Sequence, residues 1–226
     1  MKKEIDIDTW ERKDSFLFFK DFQNPVRSVT SEIDCTEAFD FCKKNKISYA
    51  KLCCYAALRA ANEIKEFHYR IENGGETVAE YDTINLSTPI KLNDTHKFAC
   101  IMVPYNKDFN HFCIAMQQEM DKLSEEALPF ENQKKFENQK KEEGTSQTLL
   151  NISCTPDLYF TSISYNYPGN KEYTITLSNM GKVIRREGRY VMPVAVNGHH
   201  GLTDGHHFSL YFKKTEQYLK EGVGIE

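Results

Sequence analysis

The chain has no apolar run longer than Phe98 to Tyr105 in its 226 residues, far short of the roughly 20 residues that cross a bilayer as a helix. Two lysines, Lys2 and Lys3, open it, but Ile5-Asp6-Ile7-Asp8 follows in place of the apolar stretch of a secretory signal. A basic excess is missing too: 29 Lys plus Arg stand against 33 Asp plus Glu, net −4. Binding nucleic acid through its phosphates needs a positive surplus, so neither a nucleic acid nor a membrane is expected as a partner. The seven cysteines, Cys35, Cys42, Cys53, Cys54, Cys100, Cys113 and Cys154, form no CxxC pair and no zinc-like spacing. They read as free thiols of a reducing compartment, which makes the cytoplasm the expected location. The motifs GxSxG, GxGxxG and GxxxxGK with a following Ser or Thr are all absent, which leaves hydrolase, dinucleotide and kinase readings without an anchor.

What is present is enough apolar side chain, 40% against 27% charged, to bury one sizeable core or at most two small ones. Disordered, collagen-like and rod-like chains are thereby excluded. No linker rich in Pro, Gly or Ser divides the sequence, and residues 1–226 are expected to form a single domain. Residues 36–45 read as a short helix. Ser48 opens a longer one that places Cys53, Ala56, Ala57, Ala60, Ile64 and Phe67 on one face.

Asn73-Gly74-Gly75 marks a turn, and Val78–Tyr81, Leu86–Leu92 and Phe98–Val103 read as strands with polar turns such as Asn93-Asp94 between them. From Asp108, a candidate cap, Phe109, Phe112, Cys113, Met116, Met120 and Leu123 keep helical spacing. The hexamer Phe-Glu-Asn-Gln-Lys-Lys then occurs twice between Phe130 and Lys141, too short a unit for a repeat fold. It reads as a solvated helix or loop.

Further strands are expected over Leu149–Cys154, Leu158–Tyr165, Tyr173–Leu177, Val183–Arg186 and Tyr190–Val196. Pro193 inside the last of these points to an edge or bulged strand. A closing helix from about Asp204 carries Phe208, Tyr211, Phe212, Tyr218 and Leu219 inward. This order of elements predicts an α+β two-layer sandwich, a mixed sheet covered by helices.

Functional side chains are densest in Asn197-Gly198-His199-His200-Gly201-Leu202-Thr203-Asp204-Gly205-His206-His207, where four of the seven histidines fall within nine residues. Three uses stay open on these residues alone. A metal site needs three or four ligands that converge, and Gly201 and Gly205 interrupt any one helix face on which they would do so, so no metal is expected. The histidines can also be ordinary core and surface residues. Third, a neutral imidazole is available near neutral pH to take a proton from a hydroxyl, and Asp204 can brace the loop by pairing with an arginine elsewhere.

His199-His200-Gly201-Leu202-Thr203-Asp204-Gly205 resembles the HHxxxDG signature of the chloramphenicol acetyltransferase family and its wider superfamily of coenzyme A-dependent acyltransferases. Trp10-Glu11-Arg12-Lys13 with Phe16, Phe98-Ala99-Cys100 with Pro104-Tyr105, Asn151-Ile152-Ser153 with Pro156, Met180-Gly181-Lys182 and Met192-Pro193 match in the family's order, from about residue 8 to residue 219.

The resemblance implies direct acetyl transfer from acetyl-CoA to a hydroxylated small molecule, chloramphenicol first. His200 would be the general base and Ser153 the donor to the oxyanion, with Asp204 paired to Arg12 in support. Phe18, Phe19, Phe98 and Cys100 would line the acceptor pocket, while Lys182 and Asn179 would lie toward the coenzyme. It also implies a homotrimer with active sites between subunits.

Four positions depart from the family pattern: Asp157 stands for a tryptophan, Asn179 for a threonine, Phe19 for a tyrosine and Cys100 for an alanine. A lost hydroxyl leaves a polar group of the acceptor unpaired, at a cost of about 1 to 3 kcal/mol. A different hydroxylated acceptor is therefore the second reading. A binding module without enzymatic activity, in which the His-rich turn holds a metal or a partner, is the third.

Overall fold

Three helices begin at side chains that satisfy amides left open by the first turn. Ser48 accepts from the amide of Lys51 ahead of the helix Tyr49–Asn62. Asp108 accepts from His111 ahead of Phe109–Asp121, and Asp204 from His206 ahead of Gly205–Glu221. With Lys13–Phe19 and Thr36–Asn45 these are, in chain order, α1 (13–19), α2 (36–45), α3 (49–62), α4 (109–121) and α5 (205–221). The computed structural model describes residues 1–92, 97–124, 127, 130–131, 134–135, 138, 148–172, 174–222 and 224. The Asn93-Asp94 turn, Tyr173 and much of the duplicated hexamer lie outside the described residues.

The strands are β1 (Lys2–Glu4), β2 (Val26–Asp34), β3 (Tyr69–Glu72), β4 (Thr77–Tyr81), β5 (Asn85–Lys91), β6 (Phe98–Val103), β7 (Leu149–Cys154), β8 (Thr176–Met180), β9 (Ile184–Arg186) and β10 (Arg189–His199). A large sheet runs β2-β10-β8-β7-β5-β6, with β9 added on β10, and a small antiparallel sheet runs β1-β4-β3. The large sheet is mixed, as expected. β5 with β7 and β7 with β8 are parallel, the remaining pairs antiparallel.

Side chains alternate between the two faces of a strand. Ile101, Val103, Leu150, Ile152, Val194 and Val196 take the face covered by helices, where they meet Leu52, Leu58, Phe112, Phe208 and Tyr211 in the main core. The hydroxyl of Tyr211 donates to Ser178 Oγ (2.9 Å), which donates in turn to the carbonyl of Ala195 (2.9 Å) and so ties α5 to two neighbouring strands. A second core of Trp10, Phe16, Tyr69, Ile71, Val78 and Leu202 joins the small sheet to α1. No described helix is long and apolar enough to cross a membrane.

Several expectations need correction. α3 is buried almost all round, so its small residues serve close packing on more than one face. It stops at Asn62, whose amide nitrogen donates to the carbonyls of Leu58 and Ile84, and Ile64 and Phe67 reach the core from beyond its end. Residues 158–165 form no strand. A turn closed by the Leu158 amide on the carbonyl of Thr155 leads into them, and side chains hold them: Tyr159 bonds to Glu32 and Tyr165 to the carbonyl of Ala195.

β8 begins at Thr176, later than expected, in register with both β7 and β10. Strand β2 escaped the hydropathy pattern because its sequence, Val-Arg-Ser-Val-Thr-Ser-Glu-Ile-Asp, is mostly polar. Pro193, expected on an edge, lies in a strand paired on both sides. It falls between the pairs that β10 makes with β9 and with β8, and its carbonyl accepts the Gly181 amide there (2.9 Å), so the missing N–H interrupts neither ladder.

Phe208 has no exposed surface and packs on Phe67 across the helix layer. Phe208→Ala is expected to lower the unfolding free energy by about 3 to 5 kcal/mol, read as a lower urea midpoint at an unchanged slope.

Candidate active site

β10 ends in a tight turn. The amides of Leu202 and Thr203 both donate to the carbonyl of His199 (2.9 Å each), and the Thr203 hydroxyl adds a third bond at 3.2 Å. Gly198 makes room for it, since a Cβ there would lie 2.4 Å from Thr203 Oγ1. His200 sits in this turn with its own amide on the carbonyl of Pro25 (2.8 Å). Its Nδ1 lies 3.1 Å from the carbonyl oxygen of Thr203. A carbonyl only accepts, so Nδ1 carries the proton and Nε2 keeps its lone pair. Phe19 stacks on the ring with centroids 4.2 Å apart, and Arg27 Nη1 reaches to 3.2 Å from Nε2.

Arg12, at the head of α1, donates to Asp204 Oδ2 at 3.0 Å and is nearly enclosed. The expected pair thus joins the element that carries Phe19 to the cap of α5. Burial alone would raise the Asp204 carboxyl, but the hydrogen bonds from Arg12 and the His206 amide outweigh it and hold it below its ordinary value. His207 Nδ1 accepts the Asp204 amide (3.0 Å), which leaves Nε2 as the protonated nitrogen, 3.5 Å from Glu66 Oε2. Burial opposes ionisation of Glu66, yet the bond from His207 lowers its carboxyl overall.

His199 is only 4% exposed and its Nδ1 accepts the Gly201 amide at 3.1 Å. Burial first, and the neighbouring His200 second, push it down to about 4, so it is neutral near pH 7. The histidines therefore have separate partners, His206 is exposed, and no group of three metal-ligating side chains occurs among the described residues.

Ser153 and Asn179 are Cα partners on β7 and β8. Together with Phe98, Cys100, Ser87, Asn151 and Tyr165 they line a cavity of about 310 Å³. Asn179 is fixed there, its Oδ1 accepting from Thr155 Oγ1 at 3.0 Å. Neither His200 nor Phe18 nor Phe19 lines this cavity. Phe18 is 65% exposed, in contrast to a core residue, and clusters with Phe19 and Phe22 beside His200. The side chains expected in one acceptor pocket are thus divided between two surfaces of the chain.

Lys182 marks a third place. It is exposed at a cavity of about 340 Å³ lined by Tyr49, Cys53, Cys154, Met180 and Met192. Cys154 follows Ser153 on β7, so strand alternation sends the two into different cavities. All seven cysteines are free. Sequence reasoning missed Arg27 and Glu66. Arg27 reaches the site only because β2 pairs with β10, which sets it opposite Gly198, and Glu66 only through His207. No local signal marks either.

A mixed sheet under one helix layer, with a double histidine on the turn into the last helix, defines an acyltransferase. The model of the chloramphenicol acetyltransferase family matches residues 2–216, and the chain belongs to that family. The chloramphenicol acetyltransferase of Clostridium perfringens is 24% identical over 216 residues, 94% of this chain and 92% of that protein. The one from Staphylococcus aureus is 25% identical over 219 residues, 96% and 95% of the two. A solved structure described as a chloramphenicol acetyltransferase superposes with a TM-score of 0.89 at 44% identity, over 97% of this chain and 100% of that one. The dihydrolipoamide acetyltransferase of Azotobacter vinelandii, at 14% identity and a TM-score of 0.61 over 92% of this chain and 84% of that one, shares the fold.

The depressed His199 predicts a pH dependence of stability. The unfolded chain takes up this proton as pH falls past 6.5 while the folded one waits until about 4, so stability falls across that window by on the order of 3 kcal/mol. His68, lowered chiefly by burial, adds in the same direction. The Asp204 and Glu66 carboxylates, held below their ordinary 3.8 and 4.5, give up stability only at lower pH still. Urea midpoints between pH 7.5 and 4.5 should decline in the wild type and decline less in His199→Asn.

Proposed function

We propose that this protein transfers the acetyl group of acetyl-CoA to a hydroxyl of a small molecule, with chloramphenicol as the first acceptor and His200 as general base. The observation that carries this reading is the contact of His200 Nδ1 with the Thr203 carbonyl, which leaves Nε2, with Arg27 Nη1 3.2 Å away, as the nitrogen whose lone pair can accept a proton. The acceptor oxygen attacks the thioester carbonyl as Nε2 takes its proton. The tetrahedral intermediate then collapses, the C–S bond breaks, and the departing sulfur recovers the proton from the imidazolium. No acyl-enzyme intervenes. Ser153 Oγ is the donor to the oxyanion, a task in which one hydrogen bond is worth on the order of 100-fold to 1000-fold in rate. Arg12 and Asp204 act on position alone, holding α1 against the turn that aims His200.

Within one chain, His200 and Ser153 open onto different surfaces. The reading therefore includes a homotrimer, in which His200, Phe18 and Phe19 of one subunit face the cavity of Ser153, Asn179, Phe98 and Cys100 in the next. The exposed Phe18 and Phe22 beside His200 support it, because apolar surface of this kind is covered in an assembly. Lys182 supplies a cation for the phosphates of the coenzyme, and Asn179 with Thr155 orders the polar end of the cavity on the donor side. The reading takes residues 1–226 as one acyltransferase domain working in the cytoplasm, where acetyl-CoA is made and thiols stay reduced.

Mass spectrometry of chloramphenicol incubated with protein and acetyl-CoA is expected to show the acetylated drug. His200→Ala should lower the rate by about 100-fold or more and Ser153→Ala by about 100-fold to 1000-fold, with circular dichroism unchanged. Turnover retained by His200→Ala would remove the base from this reading. Sedimentation should return the mass of three chains.

A further inference from the structure

One peptide unit separates the proposed base from a second, buried histidine. The Thr203 carbonyl faces His200 Nδ1 at 3.1 Å, and the N–H of that same peptide, the Asp204 amide, donates to His207 Nδ1 at 3.0 Å. His207 presents its other nitrogen, Nε2, to Glu66 Oε2 at 3.5 Å. Carboxylate, imidazole, peptide and imidazole thus form one chain of contacts that ends on His200. Glu66 enters it from the short turn Lys65–His68 beyond α3, and both Glu66 and His207 are largely enclosed.

Each link has a direction. An ionised carboxylate only accepts, so Glu66 holds the His207 ring proton at Nε2 and leaves the Nδ1 lone pair to the Asp204 amide. Asp204 Oδ1 also lies 3.0 Å from Nδ1 and would take a second ring proton, so the arrangement holds only while Nδ1 carries none. A peptide whose N–H is engaged has a more negative carbonyl oxygen, because hydrogen bonds in a chain polarise one another. The Thr203 carbonyl is therefore a stronger partner for His200 Nδ1–H than an isolated one.

Charge acts in the same sense. Arg12 takes Asp204 as its hydrogen-bonded counterion at 3.0 Å, which leaves the charge of Glu66 to act along the chain. When His200 Nε2 takes the hydroxyl proton the ring becomes a cation, and a negative charge at the far end of the chain favours that state.

We infer that Glu66 and His207 are positioning residues of the acetyl transfer, which act through the Thr203–Asp204 peptide to make His200 a stronger base. The inference rests on acetyl transfer with His200 as base and deepens that reading.

Glu66→Gln keeps an oxygen that can accept from His207 and removes the charge. On chloramphenicol it should lower kcat a few-fold with both KM values unchanged, since proton transfer follows the strength of the base. The acidic limb of kcat/KM should move to lower pH by about half a unit, the scale of a partly screened charge. Glu66→Asp, which restores the charge, should return most of that shift. His207→Gln keeps an acceptor for the Asp204 amide, as glutamine at this helix position can, but cuts the link to Glu66. It should reproduce the shift, and adding Glu66→Gln to it should change nothing further. The other titratable or charged groups around the two histidines are Arg27 from β2, His199 from β10, Arg12 from α1, and Asp204 and His206 from α5. All are retained in these variants. Without substrate, the ring signals of His200, assigned by their loss in His200→Ala, should titrate at a lower pH in Glu66→Gln than in the wild type.

A limb and a titration midpoint unmoved by Glu66→Gln, whatever the rate, would overturn the inference. Additive effects of the two substitutions, or nitrogen shifts showing both His207 nitrogens protonated at pH 7, would do the same. The titration is read without turnover. A shifted midpoint in protein that yields no acetylated drug counts against the acetyl-transfer reading and leaves the relay standing, and acetylation with an unmoved midpoint does the reverse.

Discussion

The carbonyl oxygen of His199 receives two amides and a hydroxyl, all from Leu202 and Thr203, and the rest of the site depends on that turn. Its three donors convert the end of the longest strand into the head of the last helix within a few residues. They fix the backbone from which the His200 side chain projects. They also set the carbonyl of Thr203 under Nδ1, which decides the tautomer of the ring. Gly198 serves the same turn: a methyl group in its place would lie 2.4 Å from Thr203 Oγ1. Backbone geometry thus selects the tautomer of a side chain through a carbonyl at Nδ1.

Charge acts at the second level, where it joins elements rather than groups within the turn. Arg12 belongs to the N-terminal layer with the small sheet and its own core, whereas Asp204 belongs to the helix that covers the large sheet. Their ion pair crosses 192 positions of sequence. Asp204 serves twice, as a cap for α5 and as the counterion of Arg12, and its depressed carboxyl keeps both uses ionised at neutral pH. A partly exposed pair of this sort contributes little to stability; its value lies in orientation, since α1 brings Phe19 onto the face of His200.

Strand alternation organises the remainder. On β7 consecutive residues point to opposite faces, so Ser153 meets Asn179 and Cys100 in one cavity while Cys154 meets Met180 and Met192 in the other. Ser153 and Cys154, consecutive on β7, thus border two separate cavities. His200 borders neither. A site that needs both His200 and Ser153 is incomplete in one chain, which agrees with the aromatic cluster left open beside the histidine.

Much of this protein is legible in its amino-acid sequence. The caps at Ser48, Asp108 and Asp204, the alternating strands β5 to β7, the apolar stripe of α5 and the HHxxxDG segment are local patterns, and local patterns follow from helical and strand periods and from side chains that satisfy nearby amides. The pairing of Arg12 with Asp204 is legible only through the family resemblance. Other features have no local signature. Polar β2 is a strand because β10 supplies its ladder, Pro193 is harmless because two partner strands meet beside it, and residues 158–165 are apolar but held by tyrosine hydroxyls instead of a ladder. Arg27 reaches His200 through strand pairing across 173 positions. The sequence by itself determined where most helices and strands run and where the histidines gather, because these depend on neighbours a few residues away. Only the tertiary structure decided which of them meet, because register between distant strands is set by packing of the whole core.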